Sequence, residues 1–565
     1  MKNNRNRMVM RRVLGLLPFY LFAFLPLYAQ PSWVKKAAKS VFTVKTFDAN
    51  GSLIGSSNGF FVGSNGEAMS SFSPFKGASR AVVIDAAGKE YAVSVIIGAN
   101  DMYDVVKFRV ATQKTQPLIV ASGILPVGST AWLLPFRETK NMKSGAIRKA
   151  ETFQDDYAYY TVALQTGDND VSCPLLNDAG EVIGLMQQPA KENDSLSYAV
   201  SACFIDSLKI TGMSLNDPVL RMTNIKKDVP DDLQNAILML YMAGSSTDSA
   251  TYAGLINDVI QKFPDAPDGY IYRAQLAAGA YDFPAADQDI QKAIKVAKEK
   301  DDAHFNYARM IYNKELYQSD KPYESWSLDK ALAEIREAYA INPQPSYQQM
   351  EANILYTQKN YQEAYDIFLE LTKTPMMNAD IWYSAARCKQ MLNDTTAYLA
   401  LPDSAMNTFT KPYLKEAAPY LLARATAKTD AGKYRDAVSD LNDYEQLMAA
   451  SVNDHFYYIR YQAEVDGRLY QQALNDITRA IQLNPKETFY YAEKASLQVR
   501  VGQYQEALET ADECITIDPQ VSNGYLFKGL AQCLLGNKKE GSQNLLKAKE
   551  LGDPQADQLI EKYSK

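Results

Sequence analysis

The chain has 565 residues, of which 47% are hydrophobic and 22% charged, and a formal net charge of −7. That length is too great for one hydrophobic core, and the composition is that of folded protein without a low-complexity tract. The acidic balance argues against nucleic acid as a partner, and five cysteines cannot make a dense disulfide framework, although Cys173 and Cys203 could pair in an oxidising compartment.

The first segment, "MKNNRNRMVMRRVLGLLPFYLFAFLPLYAQ", joins a basic start to an apolar run from Val13 and places small Ala29 before Gln30. This pattern predicts a secretory signal peptide over 1–29. An uncleaved anchor is the alternative, but Pro18 and Pro26 interrupt the run, and roughly 17 apolar residues are short for a spanning helix. Cleavage removes Lys2, Arg5, Arg7, Arg11 and Arg12 and leaves a charge of about −12. The remaining chain is then expected to be exported, with no transmembrane segment. No Cys follows the leader, so a lipid-anchored form is not indicated.

From Val41 to about Val200 short β-rich runs alternate with turn signals: "SVFTVKTF", "NGFFVG", "AVVIDAAGKEYAVSVIIG", "DVVKFRV", "TAWLLPF", "YAYYTVAL", "EVIGLMQQ" and "LSYAVS". Asn65-Gly66 and Ala179-Gly180 mark tight turns between them. Many short strands at this spacing predict an antiparallel barrel or sandwich over 31–212. The stretch 213–230, which includes "MSLNDPVLRMTNIKKDV", follows neither this pattern nor the next and reads as a linker.

The rest, 231–565, is built from helical patterns that recur about every 34 to 35 residues, in about nine units. Pro485 and Pro519 close two successive units and stand 34 residues apart. Small residues recur where two helices must touch, as at Ala274, Ala286, Ala293, Ala495, Ala507, Gly529, Gly541 and Ala548. An aromatic precedes the second helix at Phe283, Tyr361, Tyr434, Tyr470 and Tyr504. The third unit carries an insertion, "YQSDKPYESWS", and "PQADQLIEKYSK" reads as the capping helix that the last apolar face requires. This half resembles the tetratricopeptide repeat, which implies an all-α superhelical solenoid with a groove for proteins and peptides.

The β half also resembles a family. "SLIGSSNGFFVGSNGEAMSSFSPFKGA", "DVVKFRV" and "CPLLNDAGEVIGL" occur in the order and spacing of trypsin-like serine proteases, particularly their HtrA-type periplasmic branch. The resemblance implies a double β-barrel and puts Asp104 at the catalytic Asp, Ser73 at the catalytic His and Val171 at the nucleophilic Ser. It also puts Asn169 where the family has an oxyanion-hole glycine.

Acyl transfer by serine needs a base with a pKa near the working pH, and imidazole fills that role. The two histidines of the chain, His304 and His455, both lie in the helical half. No catalytic residue is therefore expected, since loss of either partner costs on the order of a million-fold in turnover. Three rescues are conceivable: Ser172 beside the nucleophile position, Cys173 as a thiolate, and Ser73 with Lys76 as a Ser-x-x-Lys pair. Ser172 would still lack a base, Cys173 beside Pro174 reads as buried packing, and Pro74 argues against the helix that a Ser-x-x-Lys pair needs.

Two binding surfaces remain: the resemblance implies that the barrel keeps a cleft in which an extended peptide could still be held by main-chain pairing, and the solenoid adds a concave groove for partner proteins and peptides. Tyrosines on the first helices, among them Tyr272, Tyr307, Tyr457 and Tyr491, together with Arg309, are candidates for peptide contact in the groove, with core packing as the alternative for each tyrosine. Arg273, Arg424, Arg460, Lys494 and Lys528 could likewise hold a carboxylate or simply be solvated. No phosphate loop, Cys-x-x-Cys pair or His cluster occurs, so neither cofactor nor metal is expected. The expectation is an exported, non-catalytic protease-like domain joined to a repeat solenoid, acting as a scaffold or adaptor in the envelope of a Gram-negative-type cell. The alternatives are a working endopeptidase using one of the rescues, or a barrel that is only a platform for the solenoid.

Overall fold

The computed structural model describes residues 31–112, 114–137, 139–154, 156–189 and 195–563. The expected leader over 1–29 lies outside them. By compactness the chain divides into Met1–Arg273 and Ala274–Lys565.

The first unit contains two closed antiparallel barrels of six strands each. The first is built from β1 (Val41–Phe47), β2 (Leu53–Phe61), β3 (Glu67–Ser70), β4 (Arg80–Ile84), β5 (Glu90–Asn100) and β6 (Val105–Val110), in the order β1-β2-β3-β6-β5-β4. The second comprises β7 (Thr130–Leu133), β8 (Lys143–Phe153), β9 (Tyr157–Val162), β10 (Pro174–Leu176), β11 (Val182–Met186) and β12 (Ser197–Ser201), in the order β10-β11-β12-β9-β8-β7. Closure leaves no unpaired strand edge in either barrel.

Alternation along the strands decides which side chains fill which core. Phe42, Val44, Phe61, Val83, Ile96 and Phe108 point into the first barrel. Val41, Phe60, Met69 and Val105, on the other faces of the same strands, meet Leu134, Leu176, Val182 and Phe204 in a second cluster that joins the two barrels. β8 has a single buried residue, Ile147, which is why "KSGAIRKAETF" carries no strand signal in the sequence.

Residues 213–230 are not a free tether. Gly77 N–H donates to Met222 O at 2.7 Å, Asn224 N–H to Ala78 O at 2.8 Å, Ile96 N–H to Lys226 O at 2.8 Å, and Asp228 N–H to Ile96 O at 2.9 Å. Leu220 and Ile225 anchor this segment in the first barrel's core. Backbone bonds and two apolar anchors hold it, so it needs no periodic pattern. Cys173 and Cys203 are also unpaired: both thiols are free, and Cys203 Sγ donates to Ala121 O at 2.8 Å.

Beyond Asp232, whose side chain caps Leu233–Gly244 by accepting from Asn235 N–H, the described residues form nine helical hairpins and a last helix, Ala556–Tyr563. From Asp301–Tyr317 onward each helix packs on its neighbours in sequence. The small residues act as spacers: a Cβ at Gly529 would stand 2.7 Å from Gly541 O, so only glycine lets Ser522–Leu534 and Lys538–Glu550 approach so closely. The third unit's insertion folds inward through Trp326, which is buried against Phe283, Tyr307 and Tyr323 and donates from Nε1 to Asp287 at 2.9 Å. Among the described residues no helix is long and apolar enough to cross a membrane.

Candidate functional site

Of the positions that the family resemblance singles out, Ser73 and Asp104 are in direct contact. Ser73 opens a short 3-10 turn, Ser73–Phe75, and Asp104 sits in the left-handed region at φ 48°. Asp104 Oδ1 accepts from Ser73 N–H at 2.6 Å and from Ser73 Oγ at 2.8 Å. The carboxylate thus orients a hydroxyl at the position to which the resemblance assigns an imidazole. A hydroxyl has no proton-accepting power near neutral pH.

Val171 follows the 3-10 turn Asp168–Asp170 and presents an aliphatic side chain. Its N–H is directed to Asp168 O at 3.4 Å and is thus turned into the loop itself. Asn58, on β2, donates from Nδ2 to the carbonyls of Asn169 at 2.9 Å and Val171 at 3.1 Å. Asp170 is buried and accepts from Lys143 Nζ at 2.7 Å and from Gly167 N–H at 2.9 Å. Asn58 and Lys143 were not legible as partners of this loop, because no local pattern ties them to it.

The rescue residues are also placed. Ser172, at φ 61° and fully buried, lies in a chain of hydroxyls: Ser57 Oγ donates to Ser172 Oγ at 2.7 Å, and Ser71 Oγ makes a very short hydrogen bond with it. Among the described residues no imidazole, amine or carboxylate belongs to that chain of hydroxyls. Cys173 is fully buried, and burial pushes its thiol up to about 12. Lys76 pairs with Asp101 at 2.5 Å, so Ser73 and Lys76 each engage a different carboxylate.

In the helical half three of the peptide-contact candidates are core residues instead. Tyr307 is buried and its hydroxyl donates to Asp287; Tyr457 is buried and donates to Glu445 at 2.7 Å; Tyr491 is buried and donates to Pro485 O at 3.1 Å. Periodicity marks their helix but not which face receives the next hairpin. Tyr272 is half-buried, and Arg309 is exposed. Arg309 lines a cleft of about 450 Å³ with Gln275, Ala278, Asn306, Met310 and Asn313. Asn306 Oδ1 accepts from both Gln275 Nε2 at 3.2 Å and Arg309 Nη2 at 2.6 Å, which sets the amides on one wall. No carboxylate lines this cleft among the described residues.

Arg424 and Arg460 are committed internally. Each makes a two-point pair with an aspartate sixteen residues on, Arg424 with Asp440 at 2.9 and 2.6 Å and Arg460 with Asp476 at 2.6 and 2.9 Å. Lys528 pairs with Asp512 at 2.5 Å. Beside Arg460, Glu464 is buried, and burial together with the nearby Asp476 charge pushes its carboxyl up to about 8.

No protein-family model matches the chain. It is 40% identical over 68 residues to U-box domain-containing protein 70 of Oryza sativa subsp. japonica, which covers 12% of this chain and 8% of that protein. It is 32% identical over 82 residues to DnaJ homolog subfamily C member 7 of Homo sapiens, covering 14% and 17%. It is 34% identical over 71 residues to small glutamine-rich tetratricopeptide repeat-containing protein 2 of Saccharomyces cerevisiae, covering 13% and 20%. The chain therefore spans a fifth or less of the length of these relatives. Among solved structures it is similar to the active form of the Rv3671c protease of M. tuberculosis, with 17% identity, 32% of this chain and 85% of that chain covered, and a TM-score of 0.28. The chain is thus two six-stranded barrels followed by a tetratricopeptide-type solenoid.

Proposed function

We propose that this chain is an exported scaffold that holds protein segments and does not cut them. The Ser73–Asp104 pair carries the reading: the carboxylate that would orient a general base holds a hydroxyl instead, at 2.6 and 2.8 Å. The aliphatic Val171 and the inward turn of its N–H support it further, since nucleophile, base and part of the oxyanion hole fail together. Binding then falls to the solenoid. Its amide-lined cleft at Gln275, Asn306, Arg309 and Asn313 suits an extended segment, whose peptide groups need donors and acceptors when they leave water. The likeness to a tetratricopeptide repeat-containing protein supports a protein-binding role. The basic and apolar leader supports export to the envelope of a Gram-negative-type cell.

The test is labelling of the full chain with a fluorophosphonate and, separately, a thiol-directed electrophile, beside affinity purification from the native envelope. The expected result is no stoichiometric active-site labelling and a defined set of co-purified proteins that Arg309→Glu diminishes. Stoichiometric labelling abolished by Ser73→Ala, Ser172→Ala or Cys173→Ala would instead establish a hydrolase.

A further inference from the structure

The segment that runs along the first barrel has two clefts beside it, and they share the wall made by Lys226, Lys227, Asp228 and Asp258. One cleft, of about 460 Å³, has an apolar lining of Leu215, Ile225, Met239 and Leu255. Ile225 and Met239 belong to the first barrel's buried core, so this floor is rigid. Gly254 on the helix Ser249–Lys262 completes its wall, and a Cβ there would meet nothing within 4 Å. The other cleft, of about 480 Å³, is polar and is lined by Arg109, Lys226, Lys227 and Lys262.

These cations differ in how they are compensated. Arg109 is held by Asp228 at 2.6 Å and Glu67 at 3.3 Å, Lys262 by Asp231 at 2.7 Å, and Lys226 by Asp258 at 2.6 Å. Lys227 has no carboxylate partner among the described residues, and its ammonium donates to the carbonyl of Thr223. It is half-buried, and burial alone lowers its pKa from the ordinary lysine value. A half-buried ammonium facing only a carbonyl is stabilised by any anion that reaches it. The carboxylates that share the walls, Asp228, Asp231 and Asp258, are each neutralised by a cation already named.

We propose that the two clefts together form a binding site for a small amphipathic carboxylate, with its aliphatic chain on Leu215, Ile225, Met239 and Leu255 and its anionic head at Lys227. Apolar lining with one uncompensated charge beside it is the pattern of a small-molecule site, in which the apolar wall supplies affinity and the polar group fixes orientation. An alkylammonium of the same length would bring a cation to Lys227. A neutral alcohol would gain only the apolar contact.

The experiment is isothermal titration of the full chain with octanoate, octan-1-ol and octylammonium. Octanoate is expected to bind at one saturable site, octan-1-ol at least tenfold more weakly, and octylammonium not at all. Lys227→Met weakens octanoate tenfold or more and removes its preference over octan-1-ol. Gly254→Leu fills the apolar cleft and abolishes octanoate binding; because the position is exposed and helical, its circular dichroism spectrum and melting temperature stay those of the parent. Absence of saturable octanoate binding, equal binding of octan-1-ol, or unchanged affinity in folded Gly254→Leu overturns the assignment.

Discussion

The side-chain amide of Asn58 donates to the carbonyl of Val171 at 3.1 Å, so a residue of the first barrel pins the loop of the second that leads into Pro174–Leu176. The same nitrogen holds Asn169 O at 2.9 Å. Both carbonyls are thereby fixed, and the Val171 N–H is left facing Asp168.

Asn58→Ala removes the donor to the partly buried carbonyl of Val171, whereas the Asn169 carbonyl is exposed and can turn to water. Leaving the Val171 carbonyl unpaired costs about 1–3 kcal/mol, which denaturant unfolding of the barrel unit will show as a lower midpoint with an unchanged slope. No hydrolytic activity accompanies the change.

Restoring two side chains does not restore the reaction. Ser73→His with Val171→Ser supplies a base and a nucleophile, yet the N–H at position 171 still bonds to Asp168 O and cannot stabilise an oxyanion. Loss of such a donor costs roughly 10²–10³ in turnover. Fluorophosphonate labelling of the double variant is expected to stay at least a hundredfold slower than that of an active trypsin-like enzyme.

Cys173 is inert while the chain is folded. Its thiol titrates at about 12 and is fully buried, so thiolate is scarce at neutral pH and shielded from reagents. Timed alkylation at pH 7.5, read by peptide mass, modifies Cys173 only after denaturant is added.

Glu464 makes the solenoid less stable as the medium becomes alkaline. The unfolded chain releases this proton near the ordinary value of 4.5 and the folded chain only near 8, so the folded state holds more protons in between and stability falls as pH rises across that window. Glu464→Gln keeps a donor toward Asp476 and cannot ionise. Above pH 8 it is expected to be more stable than the parent by on the order of a few kcal/mol, the difference vanishing near pH 4, as measured by chemical unfolding of the helical signal.

Core and groove roles separate by mutation. Tyr307→Ala removes a buried ring packed on Trp326 and is expected to cost about 3–5 kcal/mol, whereas Arg309→Ala at an exposed site changes stability by no more than about 0.5 kcal/mol and lowers the yield of co-purified proteins. Thermal melts and quantitative affinity purification of the two variants read the contrast.

Local pattern alone determined much of this protein. Period-two apolar runs in the first part and a 34-residue repeat in the second divide the chain into β and helical parts, because each period states which faces an element buries. Composition added a chemical fact: the β part contains no imidazole. Tertiary structure decided what depends on partners distant in sequence. It turned the Val171 N–H inward through a loop held by Asn58 and Asp170, and buried Tyr307, Tyr457 and Tyr491 against neighbouring helices. It also left Cys173 and Cys203 unbridged, and laid residues 213–230 along the first barrel through backbone hydrogen bonds. Periodicity records whether a face is covered, whereas the choice of covering residue is made only when separate elements come into contact, across 113 residues in the case of Asn58 and Val171.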